Sequence, residues 1–83
     1  MRTFYAEGTY KRQAGSRRLY CFSATCVEDD GRVVWVSVVR RLDDGQFRGQ
    51  PSGVVALTRK ADPKKEIEEA IGEAIENLAG ISE

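Results

Sequence analysis

The chain has no histidine, only two cysteines and two prolines, and a formal net charge of zero over 83 residues. Without histidine it lacks the commonest general base at neutral pH and the commonest metal ligand. Cys21 and Cys26 are five positions apart. On one strand that spacing separates them by about 16 Å and sends them to opposite faces, too far apart for a disulfide. There is no CxxC pair and no third thiol, so no zinc site is expected. No run approaches the roughly 20 apolar residues of a membrane span. The opening MRTFYAEGTY carries no apolar stretch of the signal-peptide kind, so the expected compartment is the cytoplasm. GxGxxG, P-loop, GxSxG and HExxH patterns are all missing. The sequence therefore points away from an enzyme, and no catalytic residue, cofactor or metal is expected.

What is present is a globular composition, 41% hydrophobic and 31% charged. At this length one domain over residues 1–83 is expected, burying about 60–65% of its unfolded surface. Its core is then a single layer of side chains between two elements. The charge is unevenly placed. Residues 1–60 hold 11 basic and 6 acidic side chains, and residues 61–83 hold 2 basic and 7 acidic.

The acidic end reads as a helix over about 63–79. Asp62 is suited to N-cap it and Pro63 to start it, because proline has no N–H to leave unpaired. Ile67, Ala70, Ile71, Ala74, Ile75 and Leu78 recur at i, i+3, i+4, i+7, i+8 and i+11, one apolar stripe. Gly80 is the expected left-handed C′ residue, with Ile81 folding back over the last turn. Lys64 and Lys65 sit where the helix dipole disfavours cations, and nothing in the pattern explains them. The glutamates 66, 68, 69, 73 and 76 form the solvated face.

Residues 2–59 read as strands. Thr3 to Lys11 alternates, and Arg17 to Glu28 and the valine-rich Arg32 to Leu42 follow. Asp30-Gly31 is the strongest hairpin signal, since a type I′ turn needs positive φ at both central positions. Asp43-Asp44 precedes Gly45 in another turn, so both aspartate pairs read as turn formers. Gln46 to Gly49 is a candidate return strand, and Val54 to Arg59 the last. Short connections make this an α+β fold: an antiparallel β-meander of three to four strands with one C-terminal α-helix packed on one face.

A two-residue turn at Ala14-Gly15 sets a definite expectation for the faces. Phe4, Ala6, Gly8 and Tyr10 join Leu19, Cys21, Ser23, Thr25, Val27, Val34, Val36 and Val38 beneath the helix. The opposite face then carries Tyr5, Arg18, Tyr20, Phe22, Trp35 and Arg41. One helix cannot cover both faces, and aromatic and arginine side chains dominate interface energetics. These six residues are the candidate partner-binding set. The function expected is a small non-catalytic interaction domain, homodimerising or binding another protein through that aromatic face. The alternative is a single-stranded nucleic-acid binder that stacks bases on the same rings and pairs phosphates with the arginines. The neutral total charge and the lack of an RNP-type string argue against it.

Overall fold

The computed structural model describes residues 1–83, with elements in the order β1 (Arg2–Lys11), β2 (Leu19–Asp29), β3 (Arg32–Arg41), β4 (Phe47–Gly49), β5 (Ser52–Ala56) and α1 (Pro63–Glu76). All strands are antiparallel, in the order β1-β2-β3-β4, and β5 also pairs with β3. The α+β meander with one C-terminal helix is the observed architecture. β4 lies along the C-terminal half of β3 and β5 along its N-terminal half. Together they make one fourth strand, interrupted where Pro51 has no N–H to give a ladder. The buried Pro51 carbonyl still accepts, from Ser37 N at 3.0 Å and Ser37 Oγ at 2.8 Å.

Asp30 and Gly31 take φ of 54° and 74°, the two-residue turn expected there, and Asp29 faces Arg32. The first hairpin differs. Arg12 N bonds Arg18 O at 3.0 Å, so its loop holds residues 13–17, with Gly15 and Arg17 left-handed at 64° and 55°. Tyr10 therefore pairs with Tyr20 instead of Leu19. A one-residue slip exchanges a strand's two faces. β1 buries the expected set, but β2 and β3 present their other sides to the helix. The inner face is Phe4, Ala6 and Tyr10; Tyr20, Phe22, Ala24 and Cys26; and Val33, Trp35, Ser37 and Val39. Val55 of β5 completes it.

Across this face lies α1, with Ile67, Ile71 and Ile75 fully buried. Burying each is worth roughly 1.5–3 kcal/mol. The aromatic rings need room, and three glycines supply it. Gly8 is the cross-strand partner of Phe22 and Gly53 that of Trp35, and each ring lies over its glycine. A Cβ on Gly53 would sit 3.0 Å from the indole, and one on helical Gly72 3.0 Å from the Tyr10 ring. Rings covering strand glycines is a known device for stabilising sheets.

Asp62 caps the helix by accepting from Lys64 N at 3.1 Å, and Pro63 occupies the first turn. The end comes earlier than the stripe suggests. Asn77 is the C-cap and Leu78, at φ 53°, is the left-handed C′ residue in place of Gly80. Ala79 N bonds Ala74 O and Leu78 N bonds Ile75 O, the paired closing bonds of a Schellman turn. Glu76, the last helical residue, is also held by the first hairpin. It accepts from the Tyr10 hydroxyl at 2.6 Å and from Gln13 N at 2.8 Å, and so ties the helix to the 13–17 loop.

Candidate functional site: the open sheet face

The side of the sheet away from α1 is open, with Lys64 from the start of that helix bordering a hollow it shares with Tyr5, Thr25, Val36 and Ser52. Its residues are set by register. Thr3, Val27, Val34 and Val54 lie in one cross-strand row, and Tyr5, Thr25, Val36 and Ser52 in the next. Glu7, Ser23 and Val38 follow, then Thr9, Cys21, Arg40 and Phe47. Strand-forming β-branched side chains dominate these rows, as expected for residues that fit a pleated surface. What is unusual is that they are wet. Tyr5 is 69% exposed, Val34 53%, Val36 56% and Val54 60%. Leu19 and Phe47 are also exposed, with the Arg40 guanidinium 6.0 Å over the Phe47 ring.

Charge is confined to the margins of this face. Glu7 and Lys11 lie on β1, and Arg32 and Arg40 near the two ends of β3. The middle, from Val27 and Thr25 across Val34 and Val36 to Val54, carries none. Taking strands 4.8 Å apart and 3.3 Å per residue, the face measures roughly 500 Å² in projection. Its apolar stretch centres on Tyr5, Val27, Val34, Val36 and Val54, interleaved with Thr3, Thr25 and Ser52. Beside it lies an open hollow lined by Glu7, Thr9, Cys21, Ser23, Val38 and Arg40. The hollow is a dip in a surface, not an enclosed site.

The six residues singled out from sequence do not form one surface. Tyr5 is on the open face. Tyr20, Phe22 and Trp35 are buried beneath α1, at 0%, 6% and 5% exposure, because of the first-hairpin slip. Their large apolar surface is core, and burial pushes the Tyr20 phenol above its ordinary value. The two arginines are occupied within the chain. Arg41 Nη2 lies 3.3 Å from Asp43 Oδ2 and its Nη1 3.7 Å from Asp44, while Arg18 reaches Asp43 at 3.8 Å. Asp44 in turn accepts from Gln46 N, which holds its carboxyl below the usual range. The aspartates of that turn thus shape the backbone and neutralise the arginines beside it.

The valine rows were missed as a site because valine in a strand reads first as core. The signal that could have found them is Gly53 and Gly8 inside strands, since a strand glycine marks where a ring lies close. That places Trp35 and Phe22 inward and turns Val34, Val36 and Cys21 outward.

The two thiols are free, Cys26 buried and Cys21 half-buried on the open face. Burial pushes the Cys26 thiol up, which makes it a poor nucleophile. The helix is too short and too polar to cross a membrane. No group of three or more cysteine, aspartate or glutamate side chains converges as metal ligands would. Compared with known proteins, the chain matches no family model, no curated protein and no solved structure.

Proposed function

We propose that this chain is a non-catalytic interaction domain that binds a protein partner through the sheet face opposite α1, a second copy being the simplest partner. The observation that carries this reading is the uncharged middle of that face, where Val34, Val36 and Val54 are each more than half exposed. Leaving such rows in water forgoes roughly 25 cal/mol for every Å² that a partner would cover. Two such faces can pack on one another as the sheets of a sandwich do, about 10 Å apart. Three of the four rings that could have stacked nucleic-acid bases lie under the helix, leaving Tyr5 of that set on the open face, so the face favours protein over single-stranded nucleic acid. Two free thiols suit a partner met in the reducing cytoplasm.

The test is a charge placed mid-face. Val36→Lys leaves the core untouched, because its side chain points away from α1. Light scattering on a sizing column should give a mass above 9.3 kDa for the wild type, lowered in the variant. A solution mass that Val36→Lys leaves unaltered refutes self-association through this face.

A further inference from the structure

We infer that β1 is a second, separate docking element, and that its free edge pairs antiparallel with β1 of another copy to make one continuous sheet. The two edges of this sheet are treated very differently. The fourth strand is broken at Pro51 into two short pieces, and its β4 piece is covered. Gly49 pairs with Ile81, and Ser82 N bonds Arg48 O at 2.9 Å. Those are the usual ways of blunting an edge. β1 has no such break or cover, and its charges are Arg2, Glu7 and Lys11. Its 10 residues run from Arg2 to Lys11 without a bulge or proline, and β2 is its one neighbour.

Which backbone groups are free follows from alternation. In an antiparallel pair, every second residue bonds across and the others point outward. Arg12 N bonds Arg18 O, so the even-numbered residues of β1 bond β2. The same parity holds further in. Leu42 N bonds Leu19 O, and Ser37 N bonds Pro51 O, so each inner strand spends one set on each neighbour. Thr3, Tyr5, Glu7, Thr9 and Lys11 therefore aim their N–H and C=O groups at the open edge. Their side chains lie on the open face and need not be buried by an edge contact.

A second copy matches this edge best with the twofold axis at Ala6. Tyr5 then faces the partner's Glu7, and Thr3 the partner's Thr9, each pair exchanging two hydrogen bonds. Almost the whole strand is used. An axis at Glu7 would set two carboxylates directly opposite, which is unfavourable. An axis at Tyr5 would leave the Thr9 end unpaired. The two helices fall on the same side of the joined sheet, and the open faces of the two copies become continuous.

The edge contact stands on hydrogen-bond parity and not on the proposed face, and one pair of variants separates them. Glu7→Pro removes an N–H that bonds nothing within the chain, and proline is tolerated on a free edge. It should leave the monomer folded and halve the solution mass. In the wild type, the amides of Tyr5, Glu7 and Thr9 should exchange with deuterium as slowly as those of Phe4, Ala6 and Gly8. In Glu7→Pro the Tyr5 and Thr9 amides should become fast while the even-numbered ones stay slow. A wild-type monomer, or fast exchange at Tyr5, Glu7 and Thr9 in the wild type, overturns the inference. A mass halved by Val36→Lys but not by Glu7→Pro leaves the face standing and removes the edge. The converse removes the face and leaves the edge.

Discussion

Replacing Trp35 by alanine should cost this fold far more than replacing its neighbour Val36, although the two are adjacent on β3. Trp35 is 5% exposed, and its indole covers Gly53 at contact distance. Truncating so large a buried ring costs about 3–5 kcal/mol. At about 0.05–0.15 kcal/mol per residue, the whole chain is stable by roughly 4–12 kcal/mol. A domain of this size loses about 4–8 °C per kcal/mol, so Trp35→Ala should melt roughly 12–40 °C below the wild type. Val36 is 56% exposed, so Val36→Ala forfeits well under about 1 kcal/mol and a few degrees. Melting followed by far-ultraviolet circular dichroism over a range of protein concentrations separates any contribution from association. Iodide quenching of the single tryptophan in the wild type gives an independent check. The reasoning fails if Val36→Ala is the more damaging change, or if iodide reaches Trp35 in the folded protein. Either result would put the valines beneath the helix and the indole outside.

Glu76 has its pKa lowered, first by the Tyr10 hydroxyl and then by Gln13 N, so its share of stability is present at neutral pH. That share is lost as pH falls below the ordinary value of 4.5, and Glu76→Gln should flatten this part of the acid unfolding curve. Tyr10 has its pKa raised by the same contact, so its share persists below pH 10.0 and is lost above it, which a high-pH melt of Tyr10→Phe should lack. Gly31 sits at φ 74°, and Gly31→Val should cost at least about 1 kcal/mol through strain alone, read as a lower denaturant midpoint. A thiol reagent should modify Cys21 in the native protein and Cys26 only after unfolding. One fast-reacting thiol followed by a slow one at the unfolding rate is the expected trace.

The architecture was legible because its strongest signals are local. Asp30-Gly31 admits one turn geometry, and Asp62-Pro63 with the isoleucine stripe admits one helix start. The faces were not legible, because they hang on the parity of a single loop. Residues 13–17 close over five positions with Arg17 left-handed, a conformation its side chain does not advertise. What holds that loop is Glu76 and Glu83 from the far end of the chain. Glu83 lies 2.6 Å from Arg12 Nη1 and accepts from Ser16 N at 3.2 Å. No reading confined to the hairpin could include those partners. Tyr5 was placed correctly because β1 kept its orientation, whereas Tyr20, Phe22 and Trp35 moved inward together with β2 and β3. The helix stop at Glu76 was hidden for a related reason, since it rests on a leucine accepting a glycine-like φ.

The bridge between Gly49 and Ile81 has a consequence for how the core can open. A Cβ on Gly49 would lie 2.8 Å from the Ile81 Cα, so the two backbones touch there with no room for a side chain. The stretch from 49 to 81 is thereby closed into a ring, with β5 on one side and α1 on the other. A helix tied at one end only is free to peel away about a single hinge. Here both ends are moored to the same broken strand. Undocking one end strains the other, and partial detachment gains little chain entropy until the ring is cut. Helix and sheet should therefore separate in one step, with the amides of Ile67 and Ile75 exchanging at the same rate. Substituting Gly49 should turn that single event into a fraying that begins at Ile75.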